Sequence, residues 1–310
     1  MIDLRSRDLA VRVDEAHGGE ILNFIDLRTG RQLLGRPPFV SAPPKSGDLD
    51  EAEWTAAYRG GWQLLLPNAG SACEVKGTVH GFHGRASHDL WTVEAQDKRS
   101  VTLAWSGHGL RATRRLELAD ECLSVEVEVA AMDERVPLVL TEHIALGLEL
   151  LDPEVEIELP GGRAFELDEA TGPAEPPADA ASWPEVRLLD GSTERADRWS
   201  LVRERSRLYC VSEPPSGRAV VWNPVRRQGL ELSWDVAVLP HVWIWHEVRT
   251  YGGPWARQAE LLVVEPSSVP HTLGLAAAIE HGQASCLRRD ESLRYELIAR
   301  PTRSGEDGQS

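Results

Sequence analysis

The sequence predicts an all-β protein built as a large antiparallel β-sandwich, and three observations predict it. Period-2 alternation of apolar and polar residues dominates the chain. Turn signals recur between the alternating runs: Arg28-Thr29-Gly30, Gly161-Gly162, Pro214-Pro215-Ser216-Gly217 and Gly252-Gly253-Pro254. No amphipathic stretch supports a helix longer than about three turns. Many strands with few helices bury their apolar faces most simply as sheet on sheet.

The elements follow in order. Glu51 to Arg59 suits one short helix. Leu123-Ser124-Val125-Glu126-Val127-Glu128-Val129 puts every apolar residue on one side of a half-buried strand, as do Val155-Glu156-Ile157-Glu158-Leu159 and Leu230-Glu231-Leu232-Ser233-Trp234. Asp168 to Glu185, rich in Ala, Pro and acidic residues, predicts an exposed loop or insertion and not a domain boundary. Glu260 to Val264 is a nearly continuous apolar run and predicts a strand covered on both faces. Residues 1–300 are expected to form a single domain, with 301–310 a disordered tail.

Composition narrows the function. A net charge of −16 argues against nucleic acid and anionic membrane surfaces, and favours a neutral or cationic ligand. No segment has the length of a membrane span, and the charged start Met1-Ile2-Asp3-Leu4-Arg5 does not read as a signal peptide. Cys73, Cys122, Cys210 and Cys286 are scattered, with no Cys-x-x-Cys, as expected of reduced thiols in a cytoplasmic protein. Eleven tryptophans against four Phe and four Tyr are mostly core material, but an indole face also suits a pyranose.

Four segments could carry chemistry. The first runs from Gly60-Gly61-Trp62 through Pro67-Asn68-Ala69-Gly70 to His80-Gly81-Phe82-His83-Gly84-Arg85. It is either a Gly-rich turn with solvated histidines or a ligand loop. His80, His83 and His88 cluster, yet no cysteine lies near them in sequence, so no metal is expected. The second is His143 in an apolar strand, either a satisfied core residue or an acid, with Glu142 its partner or on the opposite face. The third is Leu239-Pro240-His241-Val242-Trp243-Ile244-Trp245, where alternation puts His241, Trp243 and Trp245 on one face, core or sugar platform. The fourth is Glu265, which closes the run Leu261-Leu262-Val263-Val264. A carboxylate there is either half of a buried ion pair, with Arg85 or Arg257, or a catalyst.

Taken together and in this order, these segments resemble the aldose 1-epimerase (galactose mutarotase-like) family over roughly Gly19 to Leu297. The shared pattern is Gly-Gly-Trp and Pro-Asn, His-Gly followed by Trp91, a mid-chain strand His, a Trp-rich strand and Glu-Pro. It ends in the Leu-x-x-x-Glu-Ser seen here at Leu287-Arg288-Arg289-Asp290-Glu291-Ser292. The resemblance implies a β-supersandwich and cofactor-free opening and closing of a sugar ring. Glu265 would be the base and His143 the acid. His80, Arg85, Asn68, Trp245 and Trp62 would bind substrate. The partner implied is a small-molecule sugar, with the protein a monomer or homodimer. Where the pattern carries an Arg after Pro-Asn, this chain has Ala69-Gly70, which leaves Arg85 as the substitute. For a sugar-holding Asp it offers Asp197 and Asp235. Those departures keep two alternatives in view, a carbohydrate-binding domain without turnover and a hexose 6-phosphate epimerase using Arg85, Arg226 and Arg227.

Overall fold

The computed structural model describes residues 1–43, 45–168 and 172–303. Among them, a 13-stranded and a 9-stranded sheet share one apolar core, to which both contribute their inward side chains. Almost all strand pairs are antiparallel, the Arg163–Leu167 and Glu185–Arg187 pair being parallel. The alternating runs form the Leu123–Ala131, Glu154–Glu158 and Gln228–Trp234 strands of the smaller sheet. The short helix spans Glu51–Ala57, started by a reciprocal capping box between Asp50 and Glu53. No described helix is long and apolar enough to cross a membrane.

Two expectations about irregular segments change. The Ser292–Arg303 strand continues through 301–303 because its neighbour Gln228–Trp234 extends far enough to pair it, with Leu230 opposite Pro301. The expected tail therefore does not begin at 301, and 304–310 lie outside the described residues. Of the expected loop from Asp168 to Glu185, residues 169–171 also lie outside them. Its later part is tied to the sheet: Ala181–Ser182 pairs with Arg163–Leu167, and Arg163 donates to the carbonyls of Pro176 and Pro177.

The middle of the larger sheet sets the site. Five strands lie side by side in the order Trp62–Leu65, Thr141–Leu146, Glu260–Ser267, His241–Val248 and Arg205–Ser212. Leu261, Leu262, Val263 and Val264 are all fully buried, since the smaller sheet covers one face and loops cover the other. On the outer face sit two small apolar clusters, one around Leu65, Phe165 and Trp243, the other around Trp54, Phe82 and Trp255.

Glu142 points into the sandwich, opposite to His143. Its carboxylate accepts from Trp62 Nε1 at 2.5 Å, Arg114 Nη2 at 3.0 Å and Tyr295 Oη at 2.6 Å. Arg114 is fully buried and lies over the Trp62 ring, and its Nη1 donates to the Gly19 carbonyl. Burial and the Glu142 charge hold the Tyr295 hydroxyl well above its usual range, so it stays a donor. The Glu142→Ala variant would leave the Arg114 charge buried without its counter-charge, at a cost of about 3–5 kcal/mol. Urea unfolding checks this. The loss from Arg114→Met combined with Glu142→Ala should fall short of the sum of the two single losses, because the two act as one network.

Candidate active site

Strand register builds the site. The pairing that sets Thr141 against Ser267 and Ile144 against Val264 puts His143 across from Glu265, and Glu265 is paired on its other side with Trp243. Residues directly opposite on neighbouring strands share a face, with Cβ atoms roughly 5 Å apart. His143, Glu265 and Trp243 therefore form one row on the outer face of the sheet, each on a different strand. Trp245 lies two residues beyond Trp243 on the same face.

This row floors a cleft that opens to solvent at its mouth. The wall above it is aromatic. Trp54 and Tyr58 come from the Glu51–Ala57 helix and its C-cap, and Trp255 and Tyr251 from the turn before the Glu260–Ser267 strand. Tyr58 packs edge-on against His143 at 5.5 Å and stacks on Trp54 at 4.9 Å. Four polar atoms of the lining residues are buried with no hydrogen-bond partner among the described residues: Tyr58 Oη, His143 Nδ1, Trp255 Nε1 and Thr272 Oγ1. Such a group costs stability unless something occupies its valence.

His83 completes the site. It holds a left-handed backbone (φ 60°), and its main-chain N–H donates to the Gly70 carbonyl while its Nδ1 accepts from the Gly70 N–H, both at 3.0 Å. With Nδ1 accepting, the ring proton sits on Nε2, so His83 is a donor in the cleft wall. Gly70 makes this possible: at φ 87°, any Cβ there would lie 2.0 Å from the Thr272 carbonyl oxygen. The ring centroids of His83 and His143 are 5.8 Å apart.

Burial governs the charges. It lowers His143 to about 4 and pushes His83 well below its usual range, where the nearby His143 adds to the effect. Both imidazoles are thus neutral at neutral pH. The Tyr58 hydroxyl is driven well above its ordinary value by burial and then by the Glu265 charge, so it too keeps its proton. Donors that stay neutral thus share the cleft with the Glu265 carboxylate.

Of the residues singled out in the sequence, Glu265, His143 and Trp245 meet in this cleft, and His80, Arg85, Asn68 and Trp62 do not line it. His80 stacks on His108 at 4.6 Å, and His108 lies 3.3 Å from Asp48. Three residues further along the same loop, His83 takes the place expected of it. Arg85 is held by Asp89 at 2.9 Å. Asn68 is a fully buried tie between loops, donating to the Ser71 and Gly81 carbonyls and accepting from the Leu275 N–H. Trp62 belongs to the Glu142 network on the inner face. His88 turns away to Ser87 and the Gly47 carbonyl, so the three histidines of the loop diverge. Asp197 pairs with Arg195, and Asp235 caps the turn at Ala237. Sequence reasoning missed Tyr58, Trp54, Tyr251 and Trp255, which lie in a short helix and a turn without alternation to point them.

No protein-family model matches the chain, and no curated protein matches it. Solved structures do. A galactose mutarotase-like protein from Lactobacillus casei ATCC 334 superposes with a TM-score of 0.67 at 14% identity, over 97% of this chain and 100% of that one. A galactose mutarotase related enzyme from Lactobacillus acidophilus gives 0.64 at 13%, over 100% and 99%. A protein from Synechocystis sp. PCC 6803 gives 0.70 at 16%, over 98% and 96%. The structural neighbours are mostly aldose 1-epimerase and galactose mutarotase-like proteins, and at these identities the likeness is one of fold. The chain has the galactose mutarotase-like β-sandwich fold.

Proposed function

We propose that this protein is an isomerase that interconverts the α and β anomers of a free or modified aldose. The observation that carries the proposal is the convergence of Glu265, His143 and His83, from three distant segments, on one aromatic cleft with unsatisfied polar groups in its wall. Glu265 takes the proton from the anomeric hydroxyl. The C1–O5 bond breaks, C1 becomes an aldehyde, and the electron pair goes to the ring oxygen. A neutral imidazole N–H of His143 donates to that developing oxyanion, and His83 holds a neighbouring hydroxyl. Rotation about C1–C2 turns the other face of the aldehyde to the oxyanion. Ring closure returns the proton from Glu265 to O1, so no cofactor and no net proton are needed. The free thiols Cys73, Cys122, Cys210 and Cys286 support a reducing, cytoplasmic setting.

The sequence reading made His143 a protonated acid. Its depressed value favours a neutral hydrogen-bond donor instead. The two schemes differ in pH dependence. A neutral donor gives a kcat/KM that changes less than about twofold from pH 6 to 8, whereas a required imidazolium would lose about tenfold per pH unit there. Anomeric exchange followed by NMR across that range, corrected for buffer, distinguishes them.

The direct test is polarimetry on freshly dissolved α-glucose, α-galactose and a broad panel of other aldoses. No acceleration over buffer for any sugar would overturn the proposal and leave the carbohydrate-binding alternative. The hexose 6-phosphate alternative lacks support. Arg85 is engaged by Asp89 and Arg226 by Asp152, and neither Arg85, Arg226 nor Arg227 lines the cleft.

A further inference from the structure

The cleft's charge is one-sided. Its lining includes two carboxylates, Glu51 and Glu265, and no Lys or Arg among the described residues. A phosphate ester or a uronate would enter with nothing to neutralise it, at a site whose desolvation makes that costly. Glu265 has its task at the floor. Glu51 does not: it stands exposed at the rim, at the start of the Glu51–Ala57 helix, far in sequence from the strands that carry His143, Trp243 and Glu265.

Around Glu51 the aromatic wall has a particular form. Trp245, Tyr251 and Trp255 contact one another with centroids 5.3–6.2 Å apart. Their planes are inclined by 79°, 37° and 42°, with Trp255 turned midway between the other two, so they make a bent corner and not a flat platform. Tyr251 Oη donates to Glu51 Oε1 at 3.4 Å, which ties the carboxylate to that corner. One flat indole suits the C–H face of a pyranose. Several inclined rings beside a carboxylate suit a cation, because each ring face offers the negative side of its quadrupole. The net charge of −16 adds a long-range attraction of the same sign.

We infer that the ligand of this cleft is an aldose that carries an ammonium group remote from C1, bound with the anomeric end at Glu265 and the ammonium in the Trp245–Tyr251–Trp255 corner beside Glu51. The inference rests on the isomerase reading only for which end of the sugar faces Glu265; the preference for positive charge rests on the corner itself.

The test measures binding and turnover separately on the full chain. Quenching of tryptophan fluorescence gives the affinity for 6-amino-6-deoxyglucose, its N-acetyl derivative, glucose and glucose 6-phosphate. NMR exchange gives the enzyme-dependent anomer interconversion of each. The amine should bind about tenfold more tightly than glucose or the N-acetyl derivative, a contrast in the range of one desolvated cation–π contact. Glucose 6-phosphate should bind most weakly. Glu51→Gln, at an exposed position that does not threaten folding, should narrow the ratio of amine to N-acetyl affinity. Equal affinity for the amine and its N-acetyl derivative, or tighter binding of glucose, overturns the inference whatever the turnover data show. Tight amine binding with no exchange of any sugar sustains the inference and removes the isomerase reading.

Discussion

Glu265→Gln should abolish enzyme-dependent anomeric exchange, with a loss of about 10³-fold within the range seen when a general base is removed. The substitution keeps the shape of the side chain and removes only its ability to accept a proton. Glu265 is buried on a strand paired on both sides, so the amide should be held where the carboxylate was. Sugar binding followed by tryptophan fluorescence should survive, because Trp243 and Trp245 remain in the cleft. That separation matters: lost exchange with retained binding identifies a group acting on the reacting atoms, whereas loss of both would indicate a damaged cleft. His143→Asn should cost less, since an amide N–H can still donate to the ring oxygen in place of a neutral imidazole. Full activity in Glu265→Gln would end the assignment of this residue as the base.

Much of this site could be read in the sequence for a physical reason. Glu265 and His143 sit on strands, and a strand's period of two fixes which face a side chain takes once its neighbours are assigned to core or solvent. Ile144 and Val264 face the inner core, so His143 and Glu265 must face outward. The same logic placed Trp243 and Trp245 together. It fails on loops. His80 and His83 are three apart in a Gly-rich turn, and only the doubled hydrogen bond between His83 and Gly70 decides which enters the cleft. Asn68 had the right position in the pattern but spends its side chain on holding three loop segments. Trp62 stands across from Ile144, so alternation itself puts it on the inner face, where its indole N–H donates to the buried Glu142. Tyr58, Tyr251 and Trp255 reach the cleft from a helix end and a turn, where tertiary packing and not periodicity sets direction. Arg85 was singled out for its charge, which Asp89 answers locally.

A second large effect is expected from acid. His17, His80, His143, His246 and His271 are all buried in the folded protein. Burial lowers His17, His80, His143 and His271 to about 4, and His246 to about 3. Unfolded, each titrates near 6.5. Between those values the unfolded chain binds protons that the folded one refuses, so stability rises with pH in that window and is lost as pH falls from about 6.5 toward 4. At pH 5 each of the more deeply enclosed groups withdraws on the order of 2 kcal/mol and His80, better solvated, less, and together they approach the whole stability of a typical domain, about 5–15 kcal/mol. Glu20, raised to about 8 by burial, works in the opposite sense, but it is one group against five. The fold should therefore collapse cooperatively near pH 5, above the range where most carboxylates titrate. Far-ultraviolet circular dichroism and tryptophan fluorescence across an acid titration would show it, with several protons taken up per molecule. A chain still folded at pH 4, or one taking up fewer than one proton, would contradict it. His246 offers the sharpest single test. It lies on the inner face of the His241–Val248 strand, fully buried, with both ring nitrogens lacking a hydrogen-bond partner among the described residues and with Arg205 adding to its penalty. In His246→Phe one proton-binding group is gone from the unfolded chain, and the acid midpoint should move to lower pH.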